Sequence, residues 1–243
     1  RGHHLVVMGR EIARWLISYA DLSDSDEAML NRIKSSATQT QALPARATRY
    51  IRIVDDFPGV LRYSGTAIEI GISQLVHTRI LELSVLVVED CTSDGQLYDL
   101  ILKKLRSRFG VPHIRFELVH GGGERIVDVF RNQVNEERIV YTLYDSDVIC
   151  PASGSDSKAK EFAAISSENE WHLAFWGTPP CHEAENIIPL EVVARTRYLE
   201  QGSSIPTLVA IQRAEERQSV ATHERFWLFF DTKKGITPES FLK

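Results

Sequence analysis

The spacing of apolar residues changes character near residue 84. Before it, Leu5 to Tyr19 and Asp24 to Ser36 place apolar side chains three and four apart, the period of an amphipathic helix, and Ser23 with Asp24 offers the second segment an N-cap. Two helices are predicted there. From Ala37 to Gly65 the pattern loosens, with Pro44, Pro58-Gly59 and Ser64-Gly65 as breakers. From residue 84 short apolar runs alternate with helical stretches. Strand 84–89 is followed by a helix from Asp94 to Phe109, strand 113–119, a helix from Glu124 to Val134 opened by Gly121-Gly122-Gly123, and strand 138–145. Lys158 to Ser167 reads as a helix, 171–176 as a strand, 191–200 and 207–222 as helices, and Phe226 to Phe230 as a last strand. Strands that alternate with helices pack as a parallel sheet covered by them. The expectation is an α/β, Rossmann-like unit over 84–243 with a central, mostly parallel sheet, preceded by a smaller, mainly helical segment over 1–83.

Acidic residues gather where these strands end. Glu89 closes Ser84 to Val88, Asp145-Ser146-Asp147 closes Ile139 to Tyr144, and Glu183-Ala184-Glu185-Asn186 follows Trp171 to Trp176. Carboxylates at the carboxyl ends of neighbouring parallel strands converge, and a hard divalent cation needs converging oxygen ligands. Side chains two apart leave a strand on one face, so Asp145 and Asp147 are expected to share an ion or two adjacent ions. Asp90 points the other way, and Ser146 reads as a spacer. Glu183 and Glu185 stand at what looks like a first helical turn, where the helix dipole favours acids in any case. His182 abuts Glu183 and reads more simply as a solvated turn residue, and His120 stands at a strand end on the same presumed edge.

Composition narrows the classes. The chain has 243 residues, 43% hydrophobic and 25% charged, enough for one sizeable core and a small second one. No run approaches the roughly 18 apolar residues of a membrane span, and no signal segment opens the chain, so a cytoplasmic protein is expected. The first residue is Arg1 rather than Met, which suggests a trimmed start. Three cysteines, Cys91, Cys150 and Cys181, show no CxxC spacing and read as reduced thiols. A net charge of −5 argues against a generally basic coat but is compatible with a nuclease whose phosphate contacts are confined to one patch. Arg46, Arg49, Arg52 and Arg62 among Tyr50, Phe57 and Tyr63 could form such a patch, although Asp55 and Asp56 interrupt it and favour a solvated face. No G-x-x-x-x-G-K-[ST] occurs, so Walker-type ATP hydrolysis is not encoded.

The acidic segments resemble the Toprim family, and within it the OLD-type (overcoming lysogenisation defect) nucleases. Val85-Leu86-Val87-Val88-Glu89-Asp90 is similar to the first Toprim strand with its Glu, Leu143-Tyr144-Asp145-Ser146-Asp147 to the DxD strand, and His182-Glu183-Ala184-Glu185-Asn186 to the later E-x-E-N segment. The resemblance covers roughly residues 84 to 240. It implies a Toprim fold and two-metal phosphodiester hydrolysis with Mg²⁺ or Mn²⁺, with DNA the substrate in preference to RNA. The implied ligands are Glu89, Asp145, Asp147, Glu183 and Glu185, and Asp94 (or Ser93) falls where OLD-type members carry a second acid. One ion would sit with Glu89 and Asp145 and the other with Asp147 and Glu183; if Glu183 lies apart, Glu185 or Asp94 takes its place. Asp231-Thr232-Lys233-Lys234-Gly235 resembles the late lysine-bearing segment, with Lys233 preferred over Lys234 for stabilising the transition-state charge. The resemblance further implies an ABC-type ATPase partner, supplied in trans or on a preceding segment, and a part in anti-phage defence. An oligomer is compatible with it.

Two other classes compete. The first strand with Glu89 and Asp90 also resembles a response-regulator receiver, with Asp145 or Asp147 as phosphoacceptor and Lys233 as its partner. The stretch from Asp147 to Lys233 is too long for that pattern, and the Glu183 to Asn186 segment would have no part in it. A non-catalytic α/β interaction module is the third possibility.

Overall fold

The structure, a computed structural model, describes residues 4–59, 61–109, 115–150, 157–168, 173–196 and 204–231. The chain divides into two compact units, Arg1–Leu83 and Ser84–Lys243.

In the first unit α1 (Arg10–Tyr19) and α2 (Asp24–Thr40) pack together, burying Ala13, Leu30, Ile33 and Ala37. The Ser23 side chain accepts from the Asp26 amide, which supplies the expected N-cap. A short helix, α3 (Leu43–Arg46), leads into a feature the sequence pattern did not predict. Strands β1 (Tyr50–Val54), β2 (Arg62–Ser64) and β3 (Ala67–Gly71) form a sheet with β3 in the centre, parallel to β1 and antiparallel to β2. The unit is therefore not purely helical. Every residue of β3 is buried, so it carries a charge, Glu69, that must be compensated. Arg52 on β1 and Arg62 on β2 do this at 3.0 and 2.7 Å, and Arg62 first holds the Glu69 carboxyl below its ordinary range. Two of the arginines in the suspected phosphate-contacting stretch are thus engaged internally.

The second unit is α/β. Among its described residues, β4 (Ser84–Val88), α4 (Asp94–Phe109), β5 (Phe116–His120), α5 (Ile126–Asn135), β6 (Val140–Leu143), α6 (Ser157–Glu168) and β7 (Ala174–Gly177) alternate. The four strands are all parallel, in the order β5-β4-β6-β7. β4 lies inside the sheet, which is why Val85 to Val88 form an unbroken apolar run rather than an alternating one. Helix α5 brings Ile126, Val127, Phe130 and Val134 against β4 and β6, and Phe130 meets Phe162 of α6 edge to face at 5.0 Å. Gly121 is needed for the turn after β5. A Cβ there would lie 2.9 Å from the Val88 carbonyl and 2.7 Å from Ile126 Cγ1.

The order places the first strand of the unit, β4, between the second, β5, and the third, β6. In an open α/β sheet such a reversal of strand order, beyond the carboxyl ends of β4 and β6, is the place where ligands bind.

The last part of the chain departs from expectation. Phe226 to Phe229 form a 3₁₀ turn, not a strand. Short apolar runs do not distinguish strand from buried helix by period. Here Trp227 and Phe230 join Leu190 and Val193 of α7 (Leu190–Thr196) and Leu208 of α8 (Ser204–Arg217) in a small separate core. No helix among the described residues is long and apolar enough to cross a membrane.

Candidate functional site

Register brings the acids together. Val88 of β4 pairs with Leu143 of β6, so the residues just beyond, Glu89 and Tyr144-Asp145, leave the sheet side by side at its carboxyl edge. Asp94, in the first turn of α4, is 8% exposed and accepts from the Asp90 amide at 3.0 Å, which folds the loop after β4 back over the edge. Asp145 is half-buried. Burial first, then the charges of Glu89, Asp94 and Glu185, push its carboxyl up to about 7, against one favourable contact, the Ala184 amide donating to Oδ1 at 2.9 Å. Four carboxylates from three chain segments therefore share one field. Tyr98, one turn along α4 from Asp94, senses it as well: burial and the charge of Asp145 raise its phenol above the ordinary range.

The two aspartates of the DxD segment part company. Strand β6 ends at Leu143, before either, and Asp147 has a left-handed backbone with φ 51°. Strand alternation no longer applies, so Asp145 turns inward and Asp147 is largely exposed. Between them Ser146 is buried rather than a mere spacer. Its hydroxyl donates to the Cys181 carbonyl and accepts from the Val148 amide, while the Asp147 amide donates to the His182 carbonyl at 3.1 Å. The DxD loop and the loop at 181–186 are thus stitched along their length.

Lys158 supplies a cation that sequence reasoning missed. It stands in the first turn of α6, 16% exposed, with Nζ 3.2 Å from Glu89 Oε1, 4.0 Å from Asp147 Oδ2 and 6.0 Å from the Tyr144 ring centroid. A lysine at a helix N-terminus opposes the helix dipole. That mismatch, in the helix that follows the DxD segment, was the available signal. Lys233, expected in this part, lies outside the described residues.

The E-x-E-N loop splits its two glutamates. Glu185 adds its charge to the field that raises Asp145. Glu183, expected to be the nearer ligand, is 4% exposed and instead caps the 3₁₀ turn Ala184–Ile187: its carboxylate accepts from the Asn186 amide while Asn186 Oδ1 accepts from the Glu183 amide at 2.8 Å. Glu183 also lies with His182 and Asp231, their ligand atoms within 4.8 Å of one another. Asn186 is 1% exposed and donates through Nδ2 to the carbonyls of Trp227 and Phe230 at 2.8 and 3.0 Å. The turn read as a final strand thereby anchors the acidic loop. His120 sits at the rim, its Nδ1 accepting from the Cys91 amide at 3.4 Å and lying 3.8 Å from Asp90. The three cysteines are free thiols, and burial pushes that of Cys181 up to about 12.

Comparison with known proteins gives no match to a family model, a curated protein or a solved structure.

Proposed function

We propose that residues 84–243 form a Toprim-like nuclease that hydrolyses nucleic-acid phosphodiester bonds with a divalent cation. One observation carries this reading: Glu89, Asp94, Asp145 and Glu185 converge beyond the carboxyl ends of β4 and β6, at the point where an open α/β sheet binds its ligands. Apart from what Lys158 offsets at Glu89, the mutual repulsion of these acids would be relieved by a bound cation. The donor set is oxygen only, which suits Mg²⁺ or Mn²⁺. Glu89, Asp94, Asp145 and Glu185 would hold one ion, with Asp147 available to a second at the exposed side. Such an ion would supply a water of lowered pKa and offset charge on an attacked phosphoryl group.

The protein's own groups have separable parts. Asp145 is fixed by the Ala184 amide, so its inward geometry does not depend on a ligand. Lys158 carries its charge beside Glu89 and Asp147, where it would neutralise charge developing on a phosphate oxygen, the part first expected of Lys233. DNA is the proposed substrate in preference to RNA, and an ABC-type ATPase, in trans or on a preceding segment, and a role in anti-phage defence follow from the family resemblance alone. A receiver-type reading leaves Glu185 without a role.

The test is incubation with labelled plasmid and with transfer RNA in Mg²⁺, in Mn²⁺ and in chelator. Cleavage that needs the cation and is lost in Asp145→Asn supports the reading. Cleavage in chelator, or none in any condition, opposes it; acid-labile phosphate retained on an aspartate after treatment with a phosphodonor would favour the receiver.

A further inference from the structure

Between α4 and the sheet lies a cavity of about 350 Å³ that the proposed reaction does not use. Its size is that of a small-ligand site. One wall is α4 itself: Asp94 stands at the carboxyl edge of the sheet, and Tyr98, Ile101 and Leu102 carry the same helix face down into the cavity. The floor is the sheet. Tyr141 of β6 and Phe175 of β7 are paired in register and stack at 5.0 Å with 17° between their ring planes. Leu143 and Gly177, the last pair of those strands, bring the cavity up to the edge two residues before Asp145. The lining is almost wholly apolar. Two features make room for a ligand. Gly177 has no side chain, and a Cβ there would meet nothing within 4 Å. β7 is the edge strand among the described ones, so the face of Phe175 turned away from Tyr141 has no further strand beside it.

We propose that this cavity takes one unpaired base of the nucleic acid whose phosphate the acids and their cation engage, so that the protein acts on single-stranded or locally unpaired DNA. The inference rests on the nuclease reading and adds the form of its substrate. A flat ring joined through one sugar to a phosphate is what a nucleotide offers, and the cavity and the acids stand in the matching relation, since both are built on one face of α4 and on the end of β6. Tyr141 is 39% exposed, so the lining reaches water and the polar edge of a base need not be buried with its ring. Stacking on aromatic side chains is open to every base, and a lining with few polar groups does not read base edges. The pocket therefore selects strand form rather than sequence. In a duplex each base is paired and stacked and must be extruded before it can enter, whereas a base in a single strand enters without that cost.

The experiment is fluorescence titration of the full chain in Mg²⁺ with a non-cleavable single-stranded DNA oligonucleotide carrying one 2-aminopurine, moved through successive positions, beside the duplex of the same sequence. The expected result is strong quenching at one position and single-strand affinity at least ~10-fold above that for the duplex. Gly177→Ile fills the cavity from a position with open space, and Phe175→Leu keeps the bulk but removes the ring. Each should abolish the quenching and lower single-strand affinity ~10-fold while duplex affinity holds, with thermal melts showing that the fold is kept. Should either variant fold poorly, the wild-type comparison decides by itself. Quenching that survives both variants, or equal affinity for single strand and duplex, would overturn the base pocket and leave the nuclease reading in place. Binding of neither form would overturn the nuclease reading and the pocket with it.

Discussion

Replacing Asp145 with Asn should stabilise the protein in the absence of metal, and the size of the effect can be worked from the site. The Asp145 carboxyl is pushed from 3.8 to about 7, chiefly by burial and then by Glu89, Asp94 and Glu185. In the folded state the group holds its proton to near neutral pH, whereas in the unfolded chain it loses it near pH 4. Between those values the folded state binds more protons, so stability falls as pH rises from about 4 to 7 and stays reduced above that. At about 1.36 kcal/mol per pH unit the ceiling is ~4 kcal/mol. Because Asp145 is only half-buried, solvent screening reduces this to about 1–2 kcal/mol. Asn removes the charge while its carbonyl still accepts from the Ala184 amide. Thermal melts in chelator at pH 8 should therefore place Asp145→Asn above wild type by roughly 3–6 °C, with the difference vanishing near pH 4. Adding Mg²⁺ should raise the wild-type midpoint and leave that of the variant nearly unmoved. A variant less stable than wild type at pH 8 would refute the reasoning, because it would show Asp145 to be a favourable structural group rather than a strained ligand.

Lys158→Ala should lower kcat for phosphodiester cleavage by ~10²-fold in single-turnover assays with little change in substrate affinity, and equal weakening of both would reduce Lys158 to a phosphate contact. Glu185→Gln should abolish cleavage more completely than Glu183→Gln when both are assayed with saturating Mg²⁺, since Glu185 shares its field with Asp145 and Glu183 caps a turn. Asn186→Ala removes three buried hydrogen bonds and should cost about 3–4 kcal/mol in urea unfolding; a loss below ~1 kcal/mol would mean that the 3₁₀ turn does not anchor the loop. Gly121→Ala forces a Cβ to within 2.9 Å of the Val88 carbonyl and should lower the melting temperature by several degrees on the order expected for ~2 kcal/mol.

The fold of the second unit was legible because β4 to β7 alternate with helices and because a central strand is apolar on both faces. The same rule misread Phe226 to Phe230. A five-residue apolar run satisfies a strand and a buried turn equally, and only the partners, Leu190, Val193 and Leu208, distinguish them. The sheet of the first unit escaped notice because its edge strands carry Arg52 and Arg62 in exposed positions and its central strand carries Glu69, a charge whose burial depends on arginines up to 17 positions away. Glu89 and Asp145 were readable as strand-end residues. The division between Glu183 and Glu185 was not, because it is set by a capping interaction local to Asn186 and by the distant carbonyls of Trp227 and Phe230. Lys158 was hidden for a related reason: its significance lies in Glu89, which precedes it by 69 positions.

The central claim is that the acids beyond β4 and β6 hold the divalent cation of a phosphodiesterase, and anomalous diffraction from crystals grown with Mn²⁺ and a non-cleavable DNA oligonucleotide tests it most directly. The account predicts an anomalous peak within coordination distance of Glu89 and Asp145, in contact with a phosphate oxygen and absent in Asp145→Asn. A peak elsewhere, or none beside these carboxylates at Mn²⁺ concentrations that support activity, would contradict it.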